Sequence, residues 1–145
     1  MTSRISDILL ACRMFSRVQP EGRERLETIA RLCNFRKGEL IFRDGEPCPG
    51  VYVVGSGLVR VFKTALGGKE HVLHMVGPGH TFAEVAAIAD FPCPASAEAV
   101  APTTCVLLPA DLFRQALAQS HQLCLEIRDR GRLAQLAEGL PLGMP

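Results

Sequence analysis

Tryptophan is absent from the 145 residues, and tyrosine occurs once. An excess of either charge is also missing: 16 Lys and Arg stand against 15 Asp and Glu. So even a balance leaves no electrostatic footprint for nucleic acid, because a surface that grips DNA concentrates Lys and Arg. No apolar run approaches the ~20 residues that cross a bilayer, and Met1-Thr2-Ser3-Arg4 leads into an amphipathic stretch rather than a signal peptide. The six cysteines (Cys12, Cys33, Cys48, Cys93, Cys105, Cys124) contain no C-x-x-C pair. Most of them fall inside apolar periodic segments, as free thiols of a reducing compartment do. Together these absences predict a cytoplasmic protein with no membrane partner and no grip on DNA of its own. A further absence is local: no Lys or Arg occurs between Lys69 and Arg114.

What is present is ordinary globular composition, 48% hydrophobic and 21% charged, in a length that suits one domain. Ile5, Ile8, Leu9 and Cys12 recur at helical spacing. Pro20 has the position of a first-turn proline, with Glu21 and Glu24 favouring a helix N-terminus. Leu26, Ile29, Ala30 and Cys33 then read as an apolar helical stripe. From Phe35 the period changes. Leu40 to Phe42, Val51 to Val54, Leu58 to Phe62, Val72 to Val76 and Val106 to Leu108 are short runs rich in β-branched and aromatic residues. Glycine turns separate them: Arg43-Asp44-Gly45, Gly55-Ser56-Gly57, Gly67-Gly68 and Gly77-Pro78-Gly79. Strands at such spacing predict an all-β sandwich or barrel.

Helical signals return at Asp111, read as an N-cap for Leu112 to Ala118, and at Ser120, read as the cap of a final helix running to about Glu138. That helix carries two apolar stripes. Leu123, Ile127, Ala134 and Ala137 share one face, and Leu125, Leu133, Leu136 and Leu140 share another. One stripe can cover the β-structure. The second packs either on the rest of its own monomer or, as we expect, on the same helix of a second subunit about a two-fold axis.

Several of these pieces, in this order, resemble the Crp/Fnr family. Met14-Phe15, then Arg36-Lys37-Gly38-Glu39-Leu40-Ile41-Phe42-Arg43-Asp44-Gly45-Glu46-Pro47, match the start of its sensor domain. Tyr52 to Val61, Gly68-Lys69-Glu70 and Gly77-Pro78-Gly79-His80-Thr81-Phe82-Ala83-Glu84 continue the match, which covers roughly residues 10 to 140. The resemblance implies a mainly β fold with flanking α-helices: a double-stranded β-helix (a jelly roll of the cyclic-nucleotide-binding type) followed by a long dimerisation helix. Residues 1–34 then form the N-terminal helices, 35–110 the β-roll, and 111–140 the short helix and the dimerisation helix. The family also implies a winged helix-turn-helix, so DNA is reached only through a C-terminal domain absent from this chain.

In relatives that bind cyclic AMP, the resemblance implies a Gly-Glu pair that holds the ribose and an Arg-Ser pair that holds the cyclic phosphate. Glu84 matches the glutamate and Ala83 replaces the glycine. The arginine falls on Pro94 or Ala95, and the serine on Ala95 or Ser96, according to a one-residue choice of alignment. A buried monoanion without a counter-charge costs several kcal/mol, and Pro92 and Pro94 each remove a backbone donor. Cyclic AMP is therefore not the expected ligand. The resemblance places Val61, Leu73, His74 and Val76 along the effector pocket with Ala83, Glu84, Ala95 and Ser96. Alternation agrees for Val61, His74 and Val76, and puts Leu73 on the opposite face.

His74 among valines has two readings: a core histidine bonded to a carbonyl or to Glu84, or a donor to a small effector or an axial ligand to haem. The segment Thr81-Phe82-Ala83-Glu84 resembles the nitric-oxide-responsive branch, in which haem is a possible cofactor. Two Pro-Cys-Pro tripeptides, at 47–49 and 92–94, are either small turn residues or a redox pair. A cupin-like metal enzyme needs clustered inward histidines with a carboxylate, and neither that cluster nor a nucleophile motif is present. The expectation is a non-enzymatic, homodimeric sensor of a small molecule or gas.

Overall fold

The computed structural model describes residues 3–127. Three helical segments open the chain: α1 (Ser3–Ala11), a 3₁₀ turn (Arg13–Phe15) and α2 (Pro20–Ile29). Pro20 occupies the first turn of α2, where its missing N–H goes unneeded. The helix stops at Ile29, and Ala30 is extended. The apolar stripe read through Cys33 is therefore split: Leu26 and Ile29 are helical, whereas Cys33 lies in β1 (Arg31–Phe35), opposite Cys105. Nothing at the level of periodicity separates the last turn of a helix from a strand that begins one residue later.

Seven more strands follow: β2 (Leu40–Phe42), β3 (Gly50–Ser56), β4 (Val59–Thr64), β5 (Glu70–Val76), β6 (Thr81–Phe82), β7 (Ser96–Ala99) and β8 (Thr103–Pro109). They form two four-stranded antiparallel sheets, in the orders β1-β8-β3-β6 and β2-β7-β4-β5. The β4–β5 hairpin turns at Gly67 and Gly68, whose φ values of +95° and +88° are open to glycine and strained for other residues.

The β3 run is apolar on both faces because both are covered. Val51 and Val53, with Val106 and Leu108 opposite, join Leu9, Phe15, Leu26, Phe113 and Leu123 in a helix-side core. Tyr52 and Val54, with Cys105 opposite Val54, face the second sheet. There Phe42, Tyr52 and Phe82 form an aromatic layer, with Tyr52 and Phe82 stacked at 4.9 Å between centroids. Burial pushes the Tyr52 hydroxyl well above its ordinary pKa.

Three helices complete the described residues: α3 (Glu84–Ala89) between β6 and β7, then α4 (Ala110–Gln119) and α5 (His121–Glu126) after β8. Pro109, not Asp111, caps α4; Asp111 sits in the first turn and pairs with Arg114. Ser120 caps α5 as expected, its Oγ accepting from Leu123 N–H at 3.1 Å. Glu126 is buried and accepts from Gln19 N–H at 3.1 Å and from Gln122 Nε2 at 2.7 Å, tying α5 to the start of α2. A carboxylate at that point also meets the positive end of the α2 dipole.

Of the span expected to be helical to Glu138, α5 covers His121–Glu126 and Ile127 is extended, and residues 128–138 lie outside the described residues. Leu123 and Ile127 are buried as one stripe required, and Leu125 of the other stripe is 44% exposed. Leu133, Leu136 and Leu140 lie outside the described residues. No described helix is long and apolar enough to cross a membrane.

Candidate functional site

The cassette begins where β6 ends. Ala83 takes up a left-handed conformation (φ +68°, ψ 8°) and turns the chain into α3. Its carbonyl accepts from Ala87 N–H at 3.0 Å. A glycine would adopt this conformation freely, whereas an alanine holds it against a steric cost of about 1–2 kcal/mol. Glu84 then stands in the first turn of α3, half-buried, and its Oε2 accepts from Thr81 Oγ1 at 2.7 Å. At the far end Asp90 is also left-handed, and the chain crosses Pro92-Cys93-Pro94 before entering β7.

Pairing registers fix the inner face of the second sheet. Val59 stands opposite Val76 and Ala99, and Val61 opposite His74 and Ala97. Directly paired residues share a face, so Val61, His74 and Val76 are brought together there. Val59, Val76, Ala97 and Ala99 are buried. The expectation of a histidine enclosed among valines needs correction: His74 is on the inner face but exposed, because β5 is an edge strand with Leu73 49% and Met75 52% exposed. The core-histidine reading fails with it.

Leu73 is the extra residue of a β-bulge, since Val61 pairs with His74 while Phe62 pairs with Val72. The bulge interrupts alternation at that residue. The conflict between alternation and resemblance over Leu73 therefore dissolves, because alternation no longer assigns it to the outer side.

Arg60 is on the outer face, as expected. Its Nε donates to Glu98 Oε1 at 2.6 Å and its guanidinium to Glu70 Oε1 at 2.8 Å, while the group lies 4.1 Å over the Phe62 ring. Ser96 pairs with Phe62 on that same outer face, and its Oγ accepts from Asp44 N–H at 2.9 Å. Ser96 thus clamps the turn after β2. Ala95 is buried at the start of the strand. Ala83 and Glu84 form the turn into α3.

Arg114, the next cation along the chain, is engaged elsewhere. It donates to the Ala87 carbonyl and to Asp111, and lies 3.5 Å from Asp90. It lines a cleft of about 750 Å³ outside the roll, between Pro47-Cys48-Pro49, Asp90-Phe91-Pro92 and the first turns of α4. Sequence reasoning missed this cleft and the aromatic layer. Both need long-range pairing.

A porphyrin requires a slot with two apolar walls and an axial ligand. The described residues give one wall, the exposed strip of β5 around His74, while Phe42, Tyr52 and Phe82 fill the space behind it. That arrangement does not fit haem. Among the described residues no three His, Cys, Asp or Glu side chains are grouped to hold a metal ion, so a cupin-type centre is not assembled there.

Comparison with known proteins agrees with this architecture. The sensor domain of the transcriptional regulator DNR from Pseudomonas aeruginosa superposes with a TM-score of 0.77 at 27% identity, over 95% of this chain and 89% of that one. The Cyclic AMP receptor protein of Thermus thermophilus is 35% identical over 106 residues, 70% of this chain and 49% of its own length. The CRP-like cAMP-activated global transcriptional regulator of Mycobacterium tuberculosis is 26% identical over 119 residues, 82% of this chain and 53% of its own. The chain spans about half the length of these curated relatives. The family model described as the cyclic nucleotide-binding domain matches residues 32–120, and with the jelly roll and its cassette in place, the chain belongs to that family.

Proposed function

We propose that the chain is the effector-sensing and dimerising part of a Crp/Fnr-type transcription regulator whose pocket no longer takes a cyclic nucleotide. One observation carries the reading: Pro94-Ala95-Ser96 stands where the resemblance implies a phosphate-holding Arg-Ser pair. The cations around the cassette are committed to carboxylates: Arg60 to Glu70 and Glu98, Arg114 to Asp90 and Asp111, and Lys63 lies 3.8 Å from Asp44. A cyclic phosphate would enter an interior of Val59, Val76, Ala97 and stacked aromatics beside the Glu84 carboxylate, without a counter-charge.

An uncharged or gaseous effector suits such an interior better. The Thr81-Phe82-Ala83-Glu84 segment, which resembles the nitric-oxide-responsive branch, supports that choice. The exposed Leu125, together with Leu133, Leu136 and Leu140, supports a homodimer whose geometry reports pocket occupancy to a DNA-binding domain. Native mass spectrometry of the purified chain tests the proposal. A dimer that becomes a monomer in the Leu133→Glu/Leu136→Glu variant, and that carries no nucleotide, is expected. A monomer in the unchanged protein, or a cyclic nucleotide retained through purification, overturns it.

A further inference from the structure

The two Pro-Cys-Pro tripeptides are remote in sequence and adjacent in the fold. Cys93 N–H donates to Glu46 O at 2.9 Å and Gly45 N–H donates to Cys93 O at 2.7 Å, which lays the second tripeptide along the loop that carries the first. Cys93 is buried in the inter-sheet cluster, Cys48 packs against that cluster, and Cys48 follows by two residues the Glu46 that pairs with Cys93. Cys48 is half-buried and lines the open cleft, whereas Cys93 is buried. We propose that Cys48 and Cys93 form a redox switch, a reversible disulfide made by hydrogen peroxide entering through the cleft.

The step balances in two stages. The Cys48 thiolate attacks one peroxide oxygen, the O–O bond breaks, and the hydroxide that leaves takes up the proton the thiol had released, so that a sulfenic acid and water result. The Cys93 sulfur then attacks the sulfenic sulfur, the S–O bond breaks, and a second water leaves. Two electrons pass from the thiols to the peroxide, and a dithiol reductant reverses the change. Electrostatics assign the order of attack. The neighbouring Cys93 thiol holds the Cys48 thiol below its ordinary value, with smaller help from Arg114 in the same cleft, and the Cys93 thiol is itself pushed upward by Cys48 and by burial. The nucleophile is thus the thiol of the half-buried, cleft-lining Cys48, and the resolving one is that of the buried Cys93.

The switch touches the cassette directly. The neutral Cys48 thiol has two carbonyl acceptors in reach, Gly50 O at 3.6 Å and Ala83 O at 3.7 Å, the latter at the strained residue that turns the chain into α3. Disulfide formation removes that donor and fixes the loop after β2 to the loop before β7. The inference holds whatever ligand the roll takes.

Thiol counting and non-reducing tryptic mapping of the full chain after limited peroxide test it. The expected result is a loss of two of the six thiols, restored by dithiothreitol, with peptide 44–60 linked to peptide 70–114. Fragment ions should place the bridge at Cys93 rather than at Cys105, which lies in the same peptide. In Cys93→Ser, a sulfenic acid at Cys48 should accumulate and be trapped by dimedone. Six thiols remaining, or oxidation confined to Cys33 or Cys124 with Cys48 and Cys93 still alkylated, overturns the proposal without recourse to a variant. Disulfides formed only between chains overturn it equally.

Discussion

Replacing Ala83 by glycine should not weaken the protein, although the same exchange three residues later should. Ala83 sits at φ +68°, where an L-residue other than glycine is strained by about 1–2 kcal/mol. Glycine releases that strain. Against this, the unfolded chain gains about 0.4–1 kcal/mol of conformational freedom, and a half-buried methyl loses about 0.4 kcal/mol of transfer energy. The balance favours Ala83→Gly by about 0.5 kcal/mol. Ala86 is buried within α3, with no such strain. There glycine costs about 1 kcal/mol in helix propensity and about 0.8 kcal/mol for the lost methyl, roughly 2 kcal/mol together.

The two variants should therefore differ by about 2–2.5 kcal/mol, with opposite signs relative to the parent. Urea unfolding followed by far-UV circular dichroism suits a chain without tryptophan. With a denaturant slope of about 1–3 kcal/mol/M, the midpoints should separate by roughly 1 M. Equal destabilisation by both exchanges would refute the assignment of a left-handed cassette alanine.

Glu126→Ala should cost about 1–3 kcal/mol, because Gln19 N–H and Gln122 Nε2 lose their common acceptor; a thermal midpoint unchanged by the substitution contradicts the tie between α5 and α2. Stability should fall as pH rises above the ordinary thiol value of 9.0, since burial pushes Cys12 up to about 11 and Cys105 up to about 12. The sign follows from linkage: in this range the unfolded chain loses the thiol protons while the folded chain keeps them. Each thiol therefore removes about 1.4 kcal/mol per pH unit until its folded pKa is reached. Urea midpoints at successive alkaline pH values should show this slope, and Cys105→Ala should flatten it; an unchanged slope counts against burial as the cause.

Much of the roll was legible because its strands are runs of β-branched residues punctuated by glycines, and because Ser120 caps α5 with a side chain suited to the task. The remainder depends on contacts or on short elements that periodicity cannot register. α3 has six residues, and β7 is Ser96-Ala97-Glu98-Ala99, a composition with weak strand preference that is held by β2 and β4 on either side. Strict alternation assumed an unbroken β5, and the bulge at Leu73 broke it. His74 was read as enclosed because its neighbours are apolar, yet an edge strand exposes even valine, as at Val72. The partnership of Cys48 and Cys93 was posed by the repeated tripeptide, but only the pairing of Glu46 with Cys93 brings the two together.

Calorimetric titration of the purified chain with cyclic AMP addresses the missing cation directly. An arginine–phosphate pair contributes about 3–6 kcal/mol through two charge-assisted hydrogen bonds, equivalent to about two to four powers of ten in Kd. The chain should accordingly show no saturable heat below about 1 mM nucleotide. Saturable binding near 1 μM, roughly −8 kcal/mol, would contradict the account.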